Sequence, residues 1–212
     1  NIAADPAPAA ELMAVDEAPS SEHQWRTVTA TGTYDVANTV IVRYRTRDGS
    51  PGVDVVVPFV TKEGPALVVD RGWMATENRG ARPEDVPAPP SGEVTITGWL
   101  RKDASGDSTK VSDHSTRSIN SQEIAAATGL TTYRGFVDLQ DETPAATDAL
   151  EAVELPDQSD GPHFFYGLQW WFFGFLAVLG FLWMAYDEWR GKTGSQAGQG
   201  PSVDREGDSV QE

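Results

Sequence analysis

Residues 164–186, FFYGLQWWFFGFLAVLGFLWMAY, form a run of 23 residues without one charge. As a helix rising 1.5 Å per residue, the run is about 35 Å long, enough to cross a hydrocarbon core of about 30 Å with some tilt. A buried helix of a soluble core would show a polar stripe, and here only Gln169 interrupts the apolar surface. The run reads as a membrane span, so the chain before it is a water-soluble domain fixed to a membrane by its C-terminal end.

Flanking charge gives an orientation. Positions 144–163 contain no Lys or Arg, whereas Arg190, Lys192 and Arg205 follow the run. The positive-inside rule counts those cations and gives little weight to Asp187 and Glu188, which predicts a disordered cytoplasmic tail over 187–212 and an extracytoplasmic location for residues 1–162. Tyr166, Trp170 and Trp171 at one boundary, and Trp183, Tyr186 and Trp189 at the other, suit the two interfacial aromatic belts. The chain opens at Asn1 without a methionine or an apolar segment, which predicts a preceding element, either a cleaved signal peptide or an earlier transmembrane helix.

Residues 1–162 hold 26 acidic against 13 basic side chains, out of a net charge of −16 for the whole chain. Such a surface repels nucleic acid. No cysteine is present, which excludes disulfides, thiolate metal sites and thiol nucleophiles.

Residues 1–24, rich in Ala, Pro and Glu, read as a flexible acidic tether. From Trp25 the texture changes to short β-branched runs at 25–34, 39–47, 53–60 and 66–70. They are separated by turn sequences at 48–52 and 62–65. Tight connections between such runs predict an antiparallel meander. A Pro-rich excursion at 78–92 precedes a strand at 94–100, and 102–118 reads as a polar loop. Asn120 or Ser121 can cap a short helix that continues to Thr128 and stops at Gly129, before a last strand at 133–139. The expected fold is mainly β: a small antiparallel, barrel-like outer domain over 25–140 with one short helix. A connector follows at 141–162, then the transmembrane helix at 163–186.

Signatures of catalysis are thin. His23, His114 and His163 make no pair at metal-ligand spacing, and neither a phosphate-binding glycine loop nor a nucleophile elbow is present. The expectation is a protein that is not an enzyme. Arg43, Arg45 and Arg47 alternate along a predicted strand, opposite Val40, Val42 and Tyr44. They read as the solvated face of a half-buried strand, or as a basic stripe for a propionate or an acidic protein.

The boundary of the span is richer. On a helix His163, Gly167, Trp170, Trp171, Gly174, Val178 and Phe181 share one side. Imidazole can ligate iron, aromatic neighbours offer a porphyrin a flat apolar surface, and the two glycines let a partner helix approach. The same residues serve as interfacial anchors, and residue chemistry alone puts anchoring ahead of haem ligation. Gln169 is the residue that anchoring explains least, because an amide about one and a half turns inside needs a hydrogen-bond partner.

Val28 to Asp35 (VTATGTYD), the segment 55–73 ending in Asp70-Arg71-Gly72-Trp73, Gly98-Trp99-Leu100-Arg101 and the closing PHFFYGLQWW over 162–171 occur in one order. In that order they resemble the surfeit locus protein family of cytochrome c oxidase assembly factors, in its bacterial form. The resemblance spans about Trp25 to Trp189. It implies an outer domain held between two transmembrane helices, the first lying before residue 1, in the cell membrane of a bacterium. It also implies help in maturing an aa3-type cytochrome c oxidase, with transient binding of haem a and delivery towards subunit I. The family's histidine maps onto His163, as haem-iron ligand, and its aromatic and amide positions onto Tyr166, Gln169 and Trp170. Gly167, Trp171, Gly174 and Val178 are the expected face for an oxidase helix, while Arg71, Gly72 and Trp73 are expected to shape a strand end. Gly167 stands where the family more usually has Ala. Two other readings remain: a permanently bound accessory subunit of the oxidase or a respiratory supercomplex without haem handling, and an unrelated binding ectodomain on a single anchor.

Overall fold

The computed structural model describes residues 4–77, 80–154 and 163–194, with only the backbone described at 163–165 and 191–194. It comprises two units, residues 1–154 and 155–212. In the first, the chain runs through β1 (Ala7–Pro8), α1 (Ala9–Leu12), β2 (Thr27–Tyr34), β3 (Val40–Arg47), β4 (Ser50–Thr61) and β5 (Ala66–Ala75). It continues through β6 (Val94–Arg101), β7 (Ser115–Thr116), α2 (Ser121–Thr128) and β8 (Thr132–Thr143). The fold is mainly β.

Local chemistry sets these elements. In β6, Val94, Ile96 and Leu100 point inward while Thr95 faces out, the period-two pattern of a strand with one wet face. β4 is buried on both faces over most of its length, as its nearly unbroken apolar run requires. Asp48 and Gly49, with φ of 49° and 77°, make a two-residue turn between β3 and β4, tighter than the five-residue turn the sequence suggests. The Asn120 carboxamide oxygen accepts from the Gln122 and Glu123 amides at the start of α2, and Gly129 ends that helix in the left-handed conformation.

The sheet order is β1-β2-β6-β8-β5-β4-β3-β7, and β2 pairs also with β4. The ladder β2–β6–β8–β5–β4 therefore returns to β2. Gly32 is the corner, because it pairs with Val94 on β6 and with Thr61 on β4. One core cluster joins Val28, Phe59, Leu67, Val69, Ile96, Leu100 and Val137. A second, on the other side of the ladder, joins Val40, Val42, Val56, Val68 and Phe136 to Ile124 of α2. Leu67 and Val69 in one cluster and Val68 in the other show β5 dividing the two.

Four expectations are corrected. The sheet is mixed, not antiparallel: β5–β8, β3–β7 and β1–β2 are parallel pairs. A parallel neighbour needs a long crossover, and the 56 residues between β5 and β8, with β6 and α2 among them, supply it. The N-terminal segment, read as a tether, packs: Ala9 and Met13 are 3% and 4% exposed, and Arg134 donates its amide to the Ala14 carbonyl. Ala9, Leu12 and Met13 follow helical i, i+3, i+4 spacing, which a composition average conceals. The polar loop after β6 holds a two-residue strand, β7. Finally, a bulge between Val42 and Arg45 breaks the alternation of β3, so Tyr44 turns outward and is 77% exposed, away from buried Val40 and Val42.

The second unit contains α3 (His163–Gly194). Its stretch Tyr166–Arg190 is long and apolar enough to cross a membrane, and none of it is buried. The helix runs past residue 186 into the expected tail, of which residues 195–212 lie outside the described residues.

Candidate functional site

On α3 an apolar groove of about 560 Å³ is lined by Trp170, Trp171, Gly174, Phe175 and Val178. It exists because Gly174 has no side chain between flanking aromatics, and a Cβ at Gly167 or Gly174 would meet nothing within 4 Å. Trp170 and Trp171 are 75% and 82% exposed, with Phe173 set edge-on against Trp170 at 6.5 Å. Three residues of the expected partner face, Trp171, Gly174 and Val178, thus meet Trp170, and Phe175 joins them, which helical spacing had left out. Tyr166, Gly167 and Gln169 lie on the exposed helix outside the lining. His163 begins α3, and its side chain lies outside the described residues.

Arg71, Gly72 and Trp73 sit at the far end of β5 and clasp two loops. The Arg71 guanidinium is buried, donates to the Pro87 carbonyl at 2.8 Å and lies 3.8 Å from Glu142. It also stands over the ring of Tyr34, whose hydroxyl donates to Glu142 at 2.7 Å. Burial, reinforced by the Glu142 charge, pushes the Tyr34 phenol up. Gly72, at φ 128°, lies against the Glu151 carbonyl. Trp73 exchanges backbone hydrogen bonds with Glu151 at 2.8 and 2.9 Å and donates its indole N–H to the Arg45 carbonyl at 3.0 Å.

A second recess was not anticipated from the sequence. A polar cleft of about 620 Å³ includes Arg45, Asp54, Asp70, Arg101 and Asp138 in its lining. Asp70 and Asp138 are register partners on β5 and β8, and a bulge between Asp54 and Val56 sets Asp54 beside them. Arg45 Nε lies 2.7 Å from Asp54 Oδ2, Arg101 pairs with Asp138, and Asp70 Oδ1 accepts from the Gly72 amide at 3.0 Å. Burial dominates the electrostatics. It pushes Asp138 up to about 6 despite Arg101, raises Asp54 despite Arg45, and raises Asp70 well above the carboxylate range with help from the charges of Asp54 and Asp138. The signal was an Asp set within or at the end of each of three apolar runs, in VDVVV, ALVVD and GFVDL.

Among the described residues no cluster of three or more His, Cys, Asp or Glu is arranged to hold a metal ion. His114 places Nδ1 3.1 Å from the Thr39 carbonyl, and His23 ends a short 3-10 turn.

A family model for the SURF1 family matches residues 1–175. Uncharacterised SURF1-like proteins of Mycobacterium bovis and Mycobacterium tuberculosis are 33% identical to this chain over 201 residues, which cover 92% of it and 73% of each relative. The match runs through the β-rich unit, the Asp70–Trp73 clasp and the first part of α3, so the chain belongs to the SURF1 family, generally linked to cytochrome oxidase assembly.

Proposed function

We propose that this protein is a membrane-anchored, non-enzymatic assembly factor for an aa3-type cytochrome c oxidase, helping haem a reach subunit I. The observation that carries the reading is how far the family model runs along α3. It reaches residue 175, so it includes His163, Tyr166, Gln169 and Trp170 and takes in Trp171, Gly174 and Phe175 of the groove. A family likeness confined to the outer domain would favour that domain as the working part. Here it continues through the membrane boundary.

The residues present fit a flat apolar cargo. Gly167, one turn after His163, offers no Cβ, and Trp170 and Trp171 provide exposed aromatic surface on the same helix. His163 would hold the haem iron through an imidazole nitrogen, and a single weak ligand suits release to a stronger site. Gln169 would donate its amide to the cargo or to a partner helix, and the Gly174 groove would receive an oxidase helix. The positive-inside rule supports an extracytoplasmic β-rich unit, with the end of α3 in the cytoplasm. A permanently bound accessory subunit is the second reading, since the apolar groove suits a lasting helix contact equally. Family membership removes the unrelated ectodomain.

The test is His163→Ala in native membranes, with haem a measured per subunit I and oxidase quantified after mild-detergent pull-down. Lower haem a with substoichiometric oxidase on the bait is the expected result. Normal haem a with near-stoichiometric oxidase would make the protein a resident subunit and end the haem reading.

A further inference from the structure

Tyr44 is the odd residue of β3. It holds a left-handed φ of 64°, follows the bulge after Val42, and keeps a large aromatic ring 77% exposed. Left-handed backbone is costly for a bulky L-residue and persists where something is gained by it. Two guanidiniums attend the ring, Arg43 at 5.6 Å and Arg117 at 5.9 Å from its centre. The parallel pairing of β7 with β3, which sets Thr116 beside Val42, carries Arg117 to the position next to Arg43.

The arginines nearby differ in their partners. Arg45 is paired with Asp54, Arg101 with Asp138, and Arg47 donates to the carbonyls of Glu151 and Ala152. Among the described residues Arg43 and Arg117 have no carboxylate partner, although the domain around them is strongly acidic. Tyr44 also stands between two recesses, since it lines both the aspartate cleft of about 620 Å³ and a neighbouring one of about 350 Å³ beside Pro51 and Thr76.

We propose that Arg43, Tyr44 and Arg117 form a docking site for an acidic segment of a partner protein. Carboxylates are held between the two guanidiniums, and the segment stacks on the Tyr44 ring. Two recesses meeting at one aromatic suit an extended chain. Their charged linings, which add Glu154 and Glu77 to Thr, Asp and Arg, do not suit the apolar face of a macrocycle, and they confine the acidic side chains of the segment to Arg43 and Arg117 at the rim. The site stands on the edge of the sheet, independently of haem handling by α3.

The experiment is anisotropy of a fluorescein-labelled hexaglutamate peptide titrated with the full chain in a non-ionic detergent at low salt. The double variant R43Q/R117Q is expected to bind about tenfold more weakly, the sum of two exposed charge contacts. Lys110→Gln, elsewhere on the surface, is expected to bind as the parent does. Tyr44→Gly removes the ring but relaxes the left-handed backbone, so it should weaken binding several-fold without lowering the melting temperature. Equal binding by R43Q/R117Q, full binding by Tyr44→Gly, or no binding by the parent chain would overturn the proposal. So would binding to phosphatidylglycerol-doped micelles that requires Arg43 and Arg117 in the absence of peptide binding, which would assign the patch to lipid.

Discussion

Replacing Gly32 by Ala tests the corner of the sheet. A Cβ at this position would lie 2.9 Å from both Phe59 Cε1 and Thr61 Cα, and closer still to the Val60 carbonyl oxygen. Two of these three neighbours are backbone of β4, which is held between β3 and β5 and cannot retreat without disturbing both. Relief therefore means opening the Gly32–Tyr34 pairing with Phe59–Thr61, the contact that returns the ladder to β2. Overpacking of a tight interior costs about 1–3 kcal/mol, and a backbone obstacle puts Gly32→Ala at the upper end, about 3 kcal/mol. Alanine returns about 0.5–1 kcal/mol by reducing unfolded-state entropy, which leaves a net loss of about 2 kcal/mol. For a domain of this size that is a fall of about 4–8 °C in melting temperature. The assay is thermal unfolding of the full chain in detergent, followed by circular dichroism near 218 nm. Thr31→Ala serves as a neighbour control, since it loses only the exposed hydroxyl contact with Thr95 and should cost less than about 1 kcal/mol. A Gly32→Ala melting temperature within about 1 °C of the parent would refute the close approach of β2 and β4.

Two further outcomes follow from the cleft and from α2. Asp54, Asp70 and Asp138 hold protons more tightly in the folded chain than in the unfolded one, up to about 6 at Asp138, so their contribution to stability is complete in acid and is lost as pH rises through their folded values. The melting temperature should be higher at pH 5 than at pH 7.5, with a slope of up to about 1.4 kcal/mol per pH unit for each extra bound proton, and a profile rising across that interval would contradict the buried cluster. Asn120→Ala removes the cap of α2 and the donor to the Ala104 carbonyl, and should lower the denaturation free energy by about 1–2 kcal/mol in a urea titration.

What could be read in the sequence is what one segment encodes by itself. The span of α3 needs only 23 uncharged residues in a row, and α2 only a capping Asn, a helix-forming run and a Gly. The hairpin strands β3, β4 and β5 announce themselves through β-branched runs and intervening turns. Register between distant strands is another matter. Asp54, Asp70 and Asp138 become neighbours through bulges in two ladders, one between Asp54 and Val56 and the other between Ala66 and Val68. Neither irregularity has a marker in the local sequence. The bulge at Tyr44 likewise inverted the expected face of a well-patterned strand, because alternation holds only while the ladder stays regular. On α3 helical periodicity groups Trp170, Trp171, Gly174 and Val178, which line the groove, but omits Phe175, next to that glycine in sequence.

The parallel pairing of β5 with β8 has a consequence for synthesis. A ribosome reaches Thr143 about 3–14 s after Ala75, at about 5–20 residues per second. Until then β5 has β4 on one side and nothing on the other, while β6 has β2 and an open flank. Both flanks are strand edges that invite pairing with the wrong chain. β8 seals the two at once, so a chain stopped short of it is left with two sticky borders, and birth order makes the last strand the one that renders the domain safe.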